Sequence, residues 1–299
     1  KESEEVLNKL LKNRFVTVTG ASGSGKSSLV FCGLIPRIKD LGRKEGAPWR
    51  IVIFRPGSDP FGNLSKAINE NIAETGLKKV TNETILKDLH RESDGITTVM
   101  KKHLIRGYEK VLLVIDQFEE IFRYSELIAE GSSGIDTGAF IENLVSAVSV
   151  TDSRIYTVVT MRADYMGECA HYQGLTQLIN NSNFLVPRMD RENYRQVIEG
   201  PVKYAGATID QSFIEDLLNE IGDLPDQLPV LQHALMRTWT HWQELNDPDR
   251  PVNQADYDSV GTMKNAMSRH ANEAYGELDQ RGKTICEKLF RTITGKGRD

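Results

Sequence analysis

"FVTVTGASGSGKSSLV", residues 15–30, opens as an apolar, β-branched run and closes as an apolar helical pattern. Between the two, Gly20-Ala21-Ser22-Gly23-Ser24-Gly25-Lys26-Ser27 fits G-x-x-x-x-G-K-[ST], with Ser28 following at once. Each residue type has a physical reason. Backbone N–H groups that wrap an anion must approach it closely, at φ values that side chains obstruct, hence the glycines. The next helix points the positive end of its dipole at the same anion. Lys26 reaches the β- and γ-phosphates of a nucleotide, and the Ser27 hydroxyl is a ligand for Mg²⁺. The stretch predicts a phosphate cradle at a strand-to-helix turn. A lipase-type elbow, G-x-S-x-G, fails in the same window because Ser24 stands at its fifth position.

Working outward, aliphatic runs alternate with helical patterns over the first 190 residues. The strand candidates are Phe15–Thr19, Ile51–Phe54, Val111–Ile115, Ile155–Thr160 and Phe184–Val186. Helical stretches fall at Ser27–Leu41, Asn63–Glu74, Ile96–Tyr108 and Ala139–Val150, and Gly131–Gly138 reads as a small-residue loop. Continuous aliphatic strands separated by helices predict a parallel five-stranded sheet buried on both faces, an α/β three-layer domain. Beyond Pro187 the strand patterns stop. Asp190–Tyr204, Phe213–Ile221, Gln227–Glu244, Lys264–Asp279 and Lys283–Thr294 have helical periodicity. The predicted division is 1–187 for nucleotide binding, 188–260 for an all-α helical domain and 261–299 for further helices.

Composition narrows the alternatives. Hydrophobic residues at 39% and charged residues at 26% describe a globular chain with a core. The longest aliphatic run, Val111–Ile115, is far short of the roughly 18 residues a membrane span needs, so no membrane partner is expected. The net charge of −5 makes nucleic acid an unexpected partner. Three scattered cysteines without CxxC spacing suit a reducing cytoplasm, and the six histidines show no metal-ligand spacing.

A phosphate cradle needs a metal ligand and a group that handles water. "VLLVIDQFEEIF" (111–122) supplies both. Asp116 falls at the carboxyl end of a buried strand, where open parallel sheets hold ligands, and can hold Mg²⁺ through water. Glu119 and Glu120 follow within one turn, so one of them can face the γ-phosphate and orient water. The competing reading has Asp116 and Glu119 capping the next helix. "SRIYTVVTMRADYM" (153–166) ends a further strand in Thr160 and Arg162. Arg162 is placed either to contact a γ-phosphate or to form a surface salt bridge.

Together these residues resemble the STAND class of P-loop NTPases, relatives of the AAA+ proteins, and most of all the novel STAND NTPase group. The resemblance is carried by Gly20–Ile38, "FRPGSDPFGNL" (54–64), "DQFEEIF" (116–122), "VVTMRADYMGEC" (158–169), Pro187–Gly206 and "LPVLQHALMRTW" (228–239). It implies ATP or dATP with Mg²⁺ as ligands and slow hydrolysis in isolation. It further implies Arg162 as a sensor arginine and Pro229 as part of a proline motif touching the adenine. The acidic set Asp116/Glu119/Glu120 is similar to the extended Walker B of NACHT proteins, although Gln117 stands where some relatives carry a second acid. The glycine-arginine-glutamate motif that such chains carry before the first helix is not found here, and Arg281–Asp299 looks like the start of a winged helix. An excised NTPase core is expected.

The implied function is a nucleotide-operated switch that controls self-association and a fused effector of a larger protein in response to an unidentified trigger, with antiviral defence or another signalling response as the expected setting. A nucleic-acid-remodelling AAA+ ATPase is the alternative, opposed by the acidic balance. A P-loop kinase is a third, opposed by the long helical C-terminal half.

Overall fold

The computed structural model describes residues 1–74, 76, 80–90, 93–128, 137–150, 153–221 and 227–294. The chain divides into two compact units, Lys1–Pro187 and Arg188–Asp299.

In the first unit, α1 (Glu2–Asn13) precedes β1 (Phe15–Gly20). After the cradle, α2 (Lys26–Ser28) continues through a π-helical stretch, Leu29–Leu34, into α3 (Ile35–Glu45). Then come β2 (Trp49–Phe54), α4 (Pro60–Glu74), α5 (Asn82–Leu89), α6 (Gly95–Val99) with a second π-helical stretch to Leu104, and β3 (Lys110–Ile115). The unit ends with α7 (Glu120–Ile128), α8 (Thr137–Ser149), β4 (Ile155–Arg162), a 3₁₀ turn, α9 (Met166–Cys169), α10 (Gln173–Asn181) and β5 (Asn183–Leu185). The strands form one parallel sheet in the order β2-β3-β4-β1-β5.

Period-two alternation sorts the strand side chains onto two faces. Val111, Leu113 and Ile115 of β3 join Ile155, Val159 and Met161 of β4 on one face, under Leu64 and Ile68 of α4 and Phe140 and Leu144 of α8. Leu112, Val114, Val158, Val16 and Val18 face the other way, toward Val6 and Leu10 of α1 and Leu34 and Ile38 beyond the cradle. All six residues of β1 are buried, which is why that strand reads as a continuous run rather than an alternating one. Each aliphatic side chain so buried contributes roughly 1.5–3 kcal/mol.

Several element ends differ from the sequence expectation. β4 runs two residues further, to Arg162, because Gly20 continues the β1 ladder opposite it. β5 starts at Asn183 instead of Phe184, since Asn183 pairs with Thr17. The helix expected to reach Tyr108 stops at Leu104, and Gly107 at φ 54° turns the chain into β3. Helices α5 and α10, of 8 and 9 residues, are too short for a periodic pattern to stand out; a threonine cap, Thr81 accepting from the Thr84 N–H, starts α5. Of the expected loop Gly131–Gly138, residues 131–136 lie outside the described residues, while Thr137 and Gly138 open α8.

The second unit contains α11 (Arg191–Tyr204), α12 (Gln211–Ile221), α13 (Gln227–Glu244), α14 (Gln254–Val260), α15 (Thr262–Gly276) and α16 (Gln280–Thr294). Its core gathers Ile198, Phe213, Leu217, Leu231, Ala234, Trp242 and Tyr257. Capping boxes at Asp190 and Asn253 start α11 and α14. Strand pairing is reduced here to an isolated parallel bridge, Ile209 with Val252, among the described residues.

Candidate functional site

The turn from β1 into α2 has the backbone the glycines allow. Gly23 (φ 68°) and Gly25 (φ 87°) are in the left-handed region, and Gly25 caps α2. A Cβ on Gly20 would stand 2.7 Å from Ser24 Oγ, so a larger residue there would make the Ser24 hydroxyl turn away. Ala21, Ser22 and Ser28 are exposed. Ser24 Oγ is buried without a hydrogen-bond partner among the described residues, a polar atom suited to an anion seated in the turn. Lys26 Nζ donates to the carbonyls of Ala21 (2.6 Å) and Gly20 (3.2 Å). Burial lowers the Lys26 pKa, the nearby Glu119 opposes that shift, and Arg162 adds to it.

Asp116, which follows β3, is the hub of the arrangement and is 1% exposed. Its Oδ1 accepts from the Ser27 hydroxyl at 2.7 Å and from the Thr160 hydroxyl at 2.7 Å. Its Oδ2 pairs with Arg55 Nε at 3.2 Å. Thr160 Oγ1 in turn accepts the Gln117 N–H (3.0 Å), and Gln117 is left-handed at φ 58°. That backbone turn sends the two following glutamates in different directions. Glu119, 6% exposed, accepts the Arg162 N–H at 3.3 Å, and burial raises its pKa. Glu120 instead accepts the Gly57 N–H at 3.0 Å, in the β2–α4 connection. Asp116 is spent on side-chain partners from three other elements, which is not a helix-capping geometry.

Arg162 ends β4 opposite Gly20. Its guanidinium grips Asp164 by two bonds, Nε–Oδ1 at 3.0 Å and a second at 2.6 Å, and lies 5.7 Å from the Tyr165 ring centroid. The hydrogen bond to Asp164 raises the arginine's pKa and lowers the aspartate's. Pro229 is an exposed residue of α13 in the second unit.

Two participants, Arg55 and Asp164, escape the sequence reading, and a third, Thr160, is located by it without a role. Arg55 has a detectable signal, a basic residue at the carboxyl end of a strand adjacent to the one bearing Asp116. Thr160 is a polar residue ending an apolar run. Asp164 has none, since a carboxylate two residues from an arginine is common on any surface.

A serine hydroxyl and one carboxylate suit Mg²⁺, which takes few protein ligands and completes its shell with phosphate and water. Among the described residues no cluster of three or more His, Cys, Asp or Glu could hold a metal by itself, and no helix is long and apolar enough to cross a membrane.

A parallel sheet carrying this cradle at the end of its β1 strand and an aspartate at the end of β3 defines a P-loop NTPase module. The family model for Novel STAND NTPase 1 matches residues 1–299, and the chain belongs to that family. No curated protein sequence matches it significantly. Among solved structures, the Aeropyrum pernix ORC2 protein, determined as ADPNP–ADP complexes, is 12% identical with a TM-score of 0.62, over 93% of this chain and 69% of that one. The Aeropyrum pernix ORC1 protein in complex with DNA is 13% identical with a TM-score of 0.57, over 98% and 70%. Domain III of the Thermotoga maritima replication initiation protein DnaA is 13% identical with a TM-score of 0.51, over 87% and 88%. At such identities these likenesses establish the fold.

Proposed function

We propose that this chain is the ATP-binding and slowly ATP-hydrolysing switch module of a larger signalling protein, in which nucleotide state controls self-association and a fused effector. The observation that carries the reading is the 2.7 Å bond from Ser27 of the cradle to the buried Asp116. It brings the serine and the carboxylate suited to a nucleotide-bound Mg²⁺ to a single point. Bound there, Mg²⁺ would supply charge neutralisation between the β- and γ-phosphates. Gly20, Ala21, Ser22, Gly23, Ser24, Gly25 and Ser28 present the loop backbone to the phosphates, and Lys26 meets their charge. Glu119 is assigned the water-orienting role because Glu120 is occupied with Gly57. Burial raises the Glu119 pKa, the direction that suits a proton acceptor. Arg162 is assigned to the γ-phosphate, from one strand away. ATP and dATP both satisfy this chemistry, and Pro229 is assigned to the base through the family resemblance. Antiviral defence remains the proposed setting.

The test is calorimetric titration of ATP and ADP with Mg²⁺, followed by size measurement of the intact parent protein with and without ATP. Submicromolar to micromolar binding with an ATP-dependent increase in size supports the switch. Absence of nucleotide binding overturns it. The fold shared with a DNA-bound ORC1 protein motivates one alternative, a DNA-remodelling ATPase. The net charge of −5 weighs against it, and salt-sensitive DNA binding would establish it instead.

A further inference from the structure

The β2–α4 connection is tied twice to the acidic segment after β3. Arg55 reaches Asp116 Oδ2 at 3.2 Å, and the Gly57 N–H donates to Glu120 at 3.0 Å. The same connection is anchored from its own helix: Asn63 Nδ2 donates to the Pro56 carbonyl at 2.8 Å, and Asp59 accepts the Gly62 N–H at 2.9 Å. The backbone is therefore held while the Arg55 side chain stays 59% exposed. Asp116 is the opposite case, with a side chain only 2% exposed. Both bonds to its Oδ1 come from neutral hydroxyls, so its ion-pair partner is Arg55.

We propose that Arg55 is a displaceable counter-ion for Asp116: it holds Oδ2 until Mg²⁺ enters with a nucleotide, and then releases that oxygen. This rests on the nucleotide reading above. A buried carboxylate without a cation is costly. A dication and a guanidinium cannot both be held by one carboxylate oxygen without strong mutual repulsion. Being mostly exposed, the guanidinium leaves without loss of packing, and its planar donors match a phosphate oxygen. Glu120, through Gly57, is the positioning residue that keeps the connection fixed while the arginine moves. Arrival of the metal is thereby converted into a change at the protein surface.

If Mg²⁺ must displace Arg55, removing the arginine strengthens the coupling between metal and nucleotide. With its guanidinium exposed and its carboxylate buried, the pair contributes at least the about 0.2–1 kcal/mol of a surface pair, which corresponds to a change of about 1.4- to 5-fold. The experiment titrates a fluorescent N-methylanthraniloyl-ADP into wild type, Arg55→Ala and Arg55→Lys, in EDTA and in Mg²⁺. Mn²⁺ bound to the ADP complex is counted in parallel by paramagnetic resonance, and circular dichroism verifies the fold. The ratio of the two nucleotide Kd values (EDTA over Mg²⁺) and the Mn²⁺ affinity are expected to rise by that factor in Arg55→Ala. Arg55→Lys, which keeps the charge, should stay near wild type. An unchanged or smaller ratio in Arg55→Ala, or a lysine variant that behaves like the alanine variant, overturns the counter-ion. Wild type that binds no nucleotide in either condition overturns the nucleotide reading itself.

Discussion

Gly20, where the phosphate cradle begins, stands in register with Arg162 across the parallel β1–β4 pair. One strand spacing, about 4.8 Å, therefore separates the backbone of the cradle's first residue from that of the arginine. The guanidinium is nevertheless committed to Asp164, so what it does for a nucleotide depends on leaving that partner. Arg162→Ala is expected to lose the preference for ATP over ADP while still binding both. Asp164→Ala, which frees the arginine, is expected to keep or increase that preference. Titrations of both nucleotides into the three proteins check this, and equal discrimination in wild type and Arg162→Ala would confine Arg162 to its salt bridge.

Lys26→Ala should weaken nucleotide binding about ten- to hundredfold, the effect of losing a charge-assisted bond of about 1.5–3 kcal/mol. The side chain is half-buried and packs no core, so the melting temperature should change little. Calorimetry with a thermal melt measures both, and undiminished affinity would remove the cradle assignment.

The two glutamates should separate cleanly. Glu119→Gln is expected to bind ATP like wild type and to fail to turn it over. Glu120→Gln keeps an acceptor for the Gly57 N–H and should retain most of the turnover. Single-turnover assays decide, and loss confined to Glu120→Gln would reverse the roles.

Glu119 also predicts a pH dependence. Burial raises its folded pKa above the ordinary value of 4.5. Between the unfolded and folded pKa values the folded state therefore holds a proton that the unfolded chain has released. That linkage stabilises the fold at the acid end and is lost as pH rises through the folded pKa, at no more than about 1.4 kcal/mol per pH unit. Glu119→Gln lacks it. The melting temperature of Glu119→Gln minus that of wild type should therefore grow as pH increases from 4.5 toward neutrality, and a flat difference would contradict the burial effect. In wild type, turnover should rise with pH over the same titration.

Thr160→Val removes the hydroxyl that donates to Asp116 and accepts from Gln117. It takes a hydroxyl donor from the buried Asp116 carboxylate and the acceptor from the Gln117 N–H, at a cost of about 1–3 kcal/mol. Chemical denaturation should show that loss, together with weaker Mg²⁺ dependence of nucleotide binding. Wild-type stability in this variant would show that the bridge is dispensable.

The sheet and the cradle were legible because burial and backbone strain each restrict residue type. Five aliphatic runs form five strands, and the left-handed backbone at Gly23 and Gly25 favours glycine. The partition between Glu119 and Glu120 was not legible. It depends on the left-handed backbone at Gln117, a residue whose type gives no sign of it. Arg55 was hidden for a different reason, since its importance lies in Asp116, 61 positions away. Helices α5 and α10 are hidden by their length, since each turns a single i, i+4 apolar pair to the core, Ile85 with Leu89 and Leu175 with Ile179, too few turns to mark a period.

The position of β4 between β1 and β3 sets a fixed gauge for the site. Ser27 and Asp116 arise beside strands two spacings apart, roughly 9–10 Å, and their side chains close that span. Thr160 and Arg162, two residues apart on β4, point to the same side of the sheet by the strand's own periodicity. A single-residue insertion in β4 ahead of Thr160 would turn both residues over together and lose the metal-side and phosphate-side contacts in one step. The site is thus tolerant of changes in loop length and intolerant of changes in strand register, so divergence among such modules should accumulate in their connections while this strand keeps its count.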